Sequence, residues 1–275
     1  MTRSNCPPDE VSLEAISSWL ERSCAIHYPE SKRDLLLQRL GRVQHSLGFD
    51  SLCELAQALL RANTEAVQLA IVHAASTNHT YFFREMDTLS GFQQNVLPDL
   101  AKRPEIRLWS AACSTGDEVY TLAILIAETL GLEALKRTHI LGTDISGPVI
   151  ETAEAGRFSK RHLEQVPEDI LRRYLRPVGQ DQFEVIPELR AACTFRRMNL
   201  KKAPYPFKYP FQAVFCRNVL YYFAPADQLE IVNAIADVTE RNGWLYTSVT
   251  ESMRGMSPRW RALTNGTAQC VDGVA

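Results

Sequence analysis

The feature that most constrains the fold is a change of sequence rhythm near residue 106. Before it, the chain has the pattern of helices alone; the segment 31–47, for example, repeats Leu or Val at intervals of three and four residues. From residue 106 onward, short apolar segments typical of strands alternate with helical segments such as 117–130. This alternation predicts an α/β fold: a doubly wound, mostly parallel sheet preceded by a small helical domain.

Two polar residues mark helix starts in the N-terminal part. Ser51 followed by Glu54 has the form of a capping box and predicts a helix through about residue 60. Thr64 is predicted to cap the next helix, which would end near residue 75. Further along, the segment between Gly156 and Ala192 interrupts the alternation of strands and helices and indicates a small insertion.

Composition excludes several classes of protein. The chain has 275 residues, 45% of them apolar and 23% charged, so it can bury a sizeable core. Its net charge of −2 argues against a surface built for nucleic acid. We expect a cytoplasmic protein that is not itself in the membrane, because neither a secretory signal nor a membrane span is evident. The seven scattered cysteines favour apolar core positions over a zinc site or a disulfide framework.

The turn after the first predicted strand indicates a ligand site. It runs from Ala112 through Gly116 to Glu118, and small residues there let the backbone approach a ligand closely. Because only Gly116 is a glycine, the turn is not the G-x-G-x-x-G fingerprint that binds a pyrophosphate. The sequence therefore favours a nucleoside that carries no phosphate.

Four further polar residues follow predicted strands or open a helix. Asp144 closes the second strand, where its carboxylate could accept hydrogen bonds from a ribose; the alternative is an N-cap for the next helix. Glu118 could face a ligand or simply complement the dipole of its helix. Arg217 and Asn218 come directly after a buried strand, a placement more typical of a site than of chance.

Five segments together resemble the chemotaxis receptor methyltransferase (CheR) family. They occur in the family's order: Ser76-Thr-Asn-His-Thr-Tyr-Phe-Phe-Arg84, Trp109-Ser-Ala-Ala-Cys-Ser-Thr-Gly-Asp-Glu-Val-Tyr120, Gly142-Thr-Asp-Ile-Ser146, Met198-Asn-Leu200 and Val214-Phe-Cys-Arg-Asn-Val-Leu-Tyr-Tyr-Phe223. The first of these, on physical grounds alone, is a polar stretch joined to aromatic residues and would be interpreted as a packed linker. The second and the last are highly specific to the family.

The resemblance implies a fold and a cofactor. The expected domains are a helical N-terminal domain at 1–76, a linker at 77–105 and a Rossmann-like catalytic domain at 106–275, with an inserted β-subdomain at about 176–197. The cofactor would be S-adenosylmethionine and the product S-adenosylhomocysteine, with no metal. The expected reaction is methyl transfer to glutamate side chains on the cytoplasmic helical region of chemoreceptors, carried out by a monomer.

The resemblance also assigns residues. Those expected to bind the cofactor are Asn78, Thr80, Arg84, Ala112, Gly116, Glu118, Asp144, Asn199, Leu200, Asn218 and Val219. Arg84 is the candidate catalytic residue that aligns a carboxylate, because its planar fork can hold one carboxylate in a fixed orientation. Tyr222 could add a hydroxyl hydrogen bond, although Tyr221 is an adjacent competitor.

A basic face on the second helix is the expected docking surface for acidic receptor helices. It consists of Lys32, Arg33, Arg39 and Arg42; the alternative is an ordinary solvated helix face. The sequence departs from the family at Ser248-Val-Thr-Glu251 and matches it poorly over 265–275. The segment 176–183 is short and has one glycine, so we expect no tether to a receptor's C-terminal pentapeptide.

Three other functions compete with protein-glutamate methylation. A methyltransferase acting on a small molecule would explain Asp144 and the sheet, but not the basic helical domain. A non-catalytic signalling module that binds S-adenosylmethionine would not need Arg84 or Tyr222. An oxidoreductase that uses a nicotinamide cofactor is disfavoured because the glycine fingerprint is missing.

Overall fold

The computed structural model describes residues 9–61, 64–76 and 79–274. These residues fall into two compact units. The first comprises Met1–Thr77 together with Tyr222–Asp227, and the second comprises Asn78–Tyr221 and Gln228–Ala275. The segment expected to be a linker, 77–105, contains two helices of the second unit.

The first unit is built from four helices, α1 (Asp9–Cys24), α2 (Arg33–Ser46), α3 (Leu52–Leu60) and α4 (Glu65–Ala75). The apolar repeat of α2 faces inward, since Leu36, Leu40 and Val43 are all buried. Leu47, the last residue of the predicted stripe, lies beyond the end of α2 and is exposed. The period of 3.6 residues thus correctly identified the face that packs against the other helices of this unit.

The second unit contains a mixed α/β fold, although residues 225–227 at the start of its last helix group with the first unit. Its elements, in chain order, are α5 (Met86–Asn95), α6 (Leu97–Leu100), β1 (Ile106–Ala111), α7 (Asp117–Leu130), β2 (Thr138–Asp144), α8 (Gly147–Ala155), β3 (Arg157–Ser159), α9 (Glu168–Tyr174), β4 (Leu175–Pro177), β5 (Gln182–Val185), α10 (Pro187–Ala191), β6 (Cys193–Arg197), β7 (Phe211–Phe215), α11 (Pro225–Ala236), β8 (Thr239–Tyr246), β9 (Trp260–Thr264) and β10 (Thr267–Cys270). Single 3₁₀ turns at Lys160–Leu163 and Leu220–Tyr222 carry residues discussed below.

Seven strands form the main sheet in the order β6-β2-β1-β7-β8-β10-β9. The first five of these pair in parallel, whereas β10 pairs antiparallel with both β8 and β9. Ser110 of β1 lies opposite Gly142 on one side and Phe215 on the other, so the carboxyl ends of β1, β2 and β7 are level. This register confirms the Rossmann-like fold and brings the turns after these three strands to one edge.

A second, three-stranded antiparallel sheet has the order β3-β5-β4. It spans residues 157–185, so it begins and ends earlier than the predicted range of 176–197. The difference arises because Cys193–Arg197 pairs in parallel with β2 as the edge strand of the main sheet. Phe195 of that strand packs so closely on Gly142 that a Cβ there would lie 2.7 Å from its ring.

Helix α7 lies in the centre of the second unit. Ten of its residues are buried, including both Val119 and Leu122, as is typical of a helix covered on every side. Most cysteines among the described residues are also core residues: Cys24, Cys113, Cys216 and Cys270 are buried, whereas Cys193 is half-buried. Cys53 is buried but disulfide-bonded, which the sequence did not predict. No helix within 9–61, 64–76 and 79–274 is long and apolar enough to cross a membrane.

Candidate functional site

The turn between β1 and α7 has an unusual backbone. Ala112, Ser114 and Gly116 have positive φ angles of 66°, 50° and 90°. A residue other than glycine in this region costs on the order of 1 kcal/mol, and such strain clusters at functional sites. Gly116 also has no room for a side chain, because a Cβ would lie 2.9 Å from that of Ala153. The turn is therefore a tightly specified loop at the carboxyl edge of the sheet.

Asp144 fixes this turn to the end of β2. One carboxylate oxygen accepts a hydrogen bond from the Ser114 amide at 2.9 Å, and the other accepts one from the Ser146 amide at 3.0 Å. The residue is buried, and Ser146, not Asp144, is the N-cap of α8. The N-cap alternative for Asp144 is therefore wrong, and its carboxylate instead connects two loops of the candidate site.

Glu118 joins the start of α7 to the end of β7. Its two carboxylate oxygens accept hydrogen bonds from the hydroxyl of Ser110 and from Nη1 of Arg217, each at 2.7 Å. The Arg217 side chain is only 4% exposed, so this ion pair is shielded from water. Glu118 thus does more than complement the helix dipole, because it neutralises a buried guanidinium.

Glu85, immediately after Arg84, is the second acidic residue that pairs with Arg217. Its Oε1 accepts hydrogen bonds from the Asn218 side chain and the Ser248 hydroxyl, both at 3.0 Å. Its Oε2 lies 3.4 Å from Nη2 of Arg217. Burial acts to raise the pKa of Glu85, but the hydrogen bond from Asn218, the charge of Arg217 and the hydrogen bond from Ser248 together leave that pKa lowered. Glu85 is therefore held as a carboxylate.

Glu251 supports the loop that carries Asn218. Its carboxylate accepts hydrogen bonds from the backbone amides of Asn218 at 2.8 Å and of Ser248 at 2.9 Å. Burial raises the pKa of Glu251, although these amides act in the opposite direction. Asn218 itself has a φ of 58°, so its strained backbone is held in place by this buried carboxyl group.

Three buried polar atoms around this edge have no hydrogen-bond partner within the part of the chain that the structure describes. They are Oγ of Ser114, Nε of Arg217 and Oε2 of Glu85. Native proteins leave few such atoms unsatisfied, and each calls for an explanation. Together with the carboxylates of Asp144 and Glu118, they provide a donor and acceptor set that fits a ligand with hydroxyl, ammonium and carboxylate groups.

The structure brings most of the predicted cofactor residues to this edge. Backbone contacts place Ala112, Gly116, Glu118 and Asp144 around the first turn. The Met198 amide donates to the Asp144 carbonyl at 2.8 Å, which brings the adjoining Asn199 and Leu200 to the same edge. Asn218 and Val219 follow β7 directly. Asn78 lies outside the described residues.

Arg84 is anchored to the cluster through its main chain. Nη2 of Arg217 donates to the Arg84 carbonyl at 2.5 Å. The Arg84 side chain is half-buried; its Nη1 donates to the His79 carbonyl at 2.8 Å, and its guanidinium carbon lies 5.9 Å from the ring centre of Tyr81. Thr80, between His79 and Tyr81, is half-buried as well.

Tyr221 and Tyr222 fall on different sides of the division between the two units. Tyr222 ends the turn Leu220–Tyr222 and groups with the first unit, whereas Tyr221 is the last residue of its segment in the second. Tyr221 is 52% exposed.

The predicted basic face of α2 is only partly open. Lys32 and Arg42 are exposed. Arg33 lies 3.4 Å from Glu14 and 3.3 Å from Glu30. Arg39 points inward instead: its Nη1 donates to the Tyr28 hydroxyl at 2.9 Å and to backbone carbonyls at the end of α4, at 3.2–3.3 Å. Arg39 therefore holds two helices together, because unpaired carbonyls at a helix end need donors.

Sequence patterns did not identify Glu85, Asp117 or His162 as site residues. Asp117 is fully buried at the start of α7 and lies 2.6 Å from Nδ1 of His162, which belongs to the turn after β3. The hydrogen bond to Asp117 raises the pKa of His162. His162 belongs to no local pattern. Asp117 lies within the quoted segment 109–120, adjacent to Glu118, and could have been considered with it.

Two family models match this chain, one over the N-terminal helices and one over the α/β part. The family model described as "CheR methyltransferase, SAM binding domain" matches residues 78–270, and "CheR methyltransferase, all-alpha domain" matches residues 12–72. The chain is 31% identical over 271 residues to "Chemotaxis protein methyltransferase 1" of Pseudomonas aeruginosa, covering 96% of each protein. It is 32% identical over 252 residues to the "Chemotaxis protein methyltransferase" of Salmonella typhimurium, covering 90% of this chain and 85% of the relative. The protein of the same name from Borreliella burgdorferi is 30% identical over 258 residues, with 91% and 90% covered.

Proposed function

Because this chain belongs to the CheR methyltransferase family and is a methyltransferase that uses S-adenosylmethionine, we propose that it methylates glutamate side chains of chemoreceptors. The products would be glutamate methyl esters on the cytoplasmic helical region of the receptor and S-adenosylhomocysteine. This reaction would serve adaptation in chemotaxis.

The observation that carries the proposal is the state of Arg84. Among the described residues its guanidinium contacts a backbone carbonyl and an aromatic ring, but no carboxylate. The neighbouring carboxylate of Glu85 is already engaged by Asn218, Ser248 and Arg217. Arg84 can therefore offer a planar pair of N–H donors to the carboxylate of an incoming glutamate.

In the proposed cofactor site, at the carboxyl edge of the main sheet, different residues bind different parts of the cofactor. In this proposal Asp144 binds the ribose hydroxyls and Glu118 binds the ammonium group. Ala112, Gly116, Asn199, Leu200, Asn218 and Val219 line the rest of the pocket, and Thr80 approaches from the segment before α5. The proposal also assigns Asn78 to the cofactor. The orphaned polar atoms of Ser114 and Arg217 are consistent with a ligand that completes their hydrogen bonds.

The chemistry places modest demands on the protein. Bound S-adenosylmethionine supplies an activated methyl group on a positively charged sulfur. A glutamate carboxylate is already ionised at neutral pH, so the chain needs no general base. Its residues have to orient the acceptor and exclude water, and such positioning supplies several kcal/mol. Arg84 would orient the carboxylate, and Tyr222 would add a hydroxyl donor.

The proposed partner surface is the exposed part of α2. Lys32 and Arg42 would attract acidic receptor helices, which raises the association rate rather than the affinity alone. Arg33 and Arg39 would contribute positive potential, although both already have partners within the first unit.

The proposal is tested by following the methyl group. The purified protein is incubated with methyl-labelled S-adenosylmethionine and membranes that contain chemoreceptors, and the labelled receptor is then treated with mild base. Release of the label as volatile methanol is expected for a carboxyl methyl ester. If the protein binds S-adenosylhomocysteine but labels no receptor in any membrane tested, the alternative of a non-catalytic binding module takes precedence.

A further inference from the structure

His162 links three parts of the second unit through two different atoms. Its Nδ1 lies 2.6 Å from Oδ1 of Asp117, the first residue of α7. Its main-chain carbonyl accepts a hydrogen bond from the Phe82 amide at 3.1 Å, two residues before Arg84. His162 itself follows β3, in the region of the three-stranded sheet. It therefore contacts both α7, which follows the turn 112–116 (the cofactor turn), and residues 79–85 (the Arg84 segment).

Asp117 depends on this contact. Its side chain is fully buried, and a buried carboxylate is unfavourable unless it is paired and hydrogen-bonded. Within the described residues, Oδ2 accepts a hydrogen bond from the Thr115 hydroxyl at 2.5 Å, and Oδ1 contacts only His162. Thr115 belongs to the strained turn, so the orientation of the Asp117 carboxylate also determines the position of that turn.

A second set of hydrogen bonds connects Asp117 to the Arg84 segment. The Asp117 carbonyl accepts a hydrogen bond from the Thr121 hydroxyl at 2.7 Å, and the Thr121 oxygen accepts one from the Phe83 amide at 3.1 Å. Together with the bond between Phe82 and His162, this arrangement forms a closed ring of contacts. Arg84 follows immediately after it.

Apolar packing holds the same parts together. The ring of Phe158 in β3 packs edge-to-face against Phe82, with centroids 4.8 Å apart, and against Tyr120 of α7 at 5.7 Å. The His162 ring lies 5.8 Å from that of Phe158. The packing explains why these segments adhere, whereas the polar bond from His162 to Asp117 links the start of α7 to the turn after β3.

We propose that His162 is a positioning residue for methyl transfer: through Asp117 and Phe82 it holds the cofactor turn and the Arg84 segment in their reactive arrangement. This inference rests on the proposed function, because it takes Arg84 as the residue that orients the substrate carboxylate. It assigns the region around the three-stranded sheet an effect on catalysis that is transmitted through Asp117 and Phe82.

Two substitutions at residue 162 separate the hydrogen bond from the charge. The side-chain nitrogen of Asn can take the place of Nδ1, so His162→Asn retains a neutral donor to Asp117, whereas His162→Ala removes the donor. We expect His162→Ala to lower kcat by about tenfold, the size of effect of one charge-assisted hydrogen bond. His162→Asn should stay within about threefold of the wild type. The matched control is His139→Ala, which removes an exposed histidine from β2.

A pH profile distinguishes positioning by His162 from a general loss of stability. The charged groups that act on the imidazole are Asp117 on α7 and Arg161 in its own turn. We expect the kcat of the wild type to decline by no more than about threefold as the pH rises through the pKa of His162, because the neutral imidazole still donates from Nδ1 and only the charge is lost. His162→Asn should lack this decline. Arg161→Gln should move the decline to higher pH, because the charge of Arg161 acts to lower that pKa.

Binding of S-adenosylhomocysteine, measured by calorimetry, tests the inference without a receptor. His162→Ala should weaken binding several-fold through the displaced cofactor turn, and His162→Asn should restore it. This result would support the inference even if the wild type labelled no chemoreceptor. The absence of labelling would count against the proposed function but not against the role of His162 in positioning the cofactor turn. Equal binding and equal kcat in the wild type, the Asn variant and the Ala variant would overturn the inference. The inference would also be overturned if the kcat of the wild type and that of the Asn variant depended on pH in the same way. If His162→Ala does not fold, the Asn variant and the pH profiles still decide.

Discussion

Arg217 donates a hydrogen bond to Glu118 at 2.7 Å although 99 positions separate the two residues in the sequence. Arg217 follows β7 and Glu118 lies in the first turn of α7, and the Arg217 side chain is 4% exposed. The pair therefore connects the start of α7 to the segment that follows β7. Arg217 also donates to the carbonyl of Arg84. This buried ion pair therefore contacts both the start of α7 and the segment that contains Arg84.

Substituting Glu118 should affect both stability and cofactor binding. Glu118→Gln leaves an acceptor for Arg217 but removes the charge, and we expect the free energy of unfolding to fall by about 1–3 kcal/mol. Affinity for S-adenosylhomocysteine should fall by roughly tenfold or more if Glu118 binds the ammonium group. Urea denaturation and calorimetry measure the two effects. The matched control is Glu133→Gln, whose exposed pairing with Lys136 should contribute less than about 1 kcal/mol.

Arg84 should be essential for turnover. We expect Arg84→Ala to lower kcat by roughly a hundredfold or more, the scale of losing one donor that acts in the transition state. Arg84→Lys retains a positive charge but loses the planar fork, so it should recover only part of the activity. Steady-state methylation of chemoreceptor membranes provides the measurement. A kcat for Arg84→Ala within a few-fold of the wild type would show that this role is wrong.

The ion pair between His162 and Asp117 should make stability depend on pH. The pKa of His162 is raised in the folded protein from its ordinary value of 6.5. The pair therefore stabilises the fold fully below that ordinary value, and the stabilisation is lost as the pH rises through the raised pKa. Urea denaturation of the wild type and His162→Asn should show a difference in free energy of unfolding that is larger at about pH 6 than at about pH 8. A difference independent of pH would contradict the assignment.

Removal of charge from α2 should weaken methylation chiefly at low ionic strength. Lys32 and Arg42 are the exposed cations of the proposed docking face, so the double variant Lys32→Gln, Arg42→Gln should lower kcat/KM for the receptor. The deficit should shrink as added salt shortens the screening length. The double variant Lys136→Gln, Arg241→Gln removes two other exposed charges and serves as the control. An equal effect from both pairs would indicate net charge rather than a docking face.

The chain should not bind the C-terminal pentapeptide of a chemoreceptor tightly. Strands β4 and β5 are joined by the short connection 178–181, which contains a single glycine. Family members that tether to this peptide tend to have a longer, glycine-rich loop in the β-subdomain, and this chain does not resemble them in that loop. Titration of the protein with the free pentapeptide should show no tight binding. Tight binding would overturn the expectation and would place a tether on the three-stranded sheet.

Local sequence patterns predicted the four helices of the first unit, the central strands and helices of the main sheet, and one of the caps, but not α5, α6, β9 or β10. The hydroxyl of Ser51 accepts a hydrogen bond from the Glu54 amide at 3.2 Å, as the capping box indicated, because Ser51 has an extended backbone. Thr64 occupies the N-cap of α4, but its hydroxyl donates to the carbonyls of Leu59 and Arg61 instead. Its φ of −111° and ψ of 29° are not the extended conformation of a typical cap. A residue type alone does not determine the backbone angle on which capping depends.

The parts of the site that sequence reasoning missed depend on distant contacts. Asp144 and Glu118 could be predicted because each occupies a known place relative to a strand or a helix start. Glu85 could not, since its carboxylate binds Ser248, which lies 163 positions away. His162 likewise contacts Asp117 across 45 positions, from the turn after β3. The sequence pattern placed an insertion at 156–192, which contains this turn, but it did not indicate the contact. Neither the period of apolar residues nor a short motif contains this information.

The most direct test of the central claim identifies the atom that receives the methyl group. A chemoreceptor labelled by the wild-type protein with S-adenosylmethionine is digested, and tandem mass spectrometry locates the modified residue, with Arg84→Ala as the control. We predict base-labile methyl esters on glutamate side chains of the cytoplasmic helical region, strongly reduced with Arg84→Ala. A base-stable methyl group on lysine, arginine or cysteine, or transfer only to a small molecule, would contradict the proposed function.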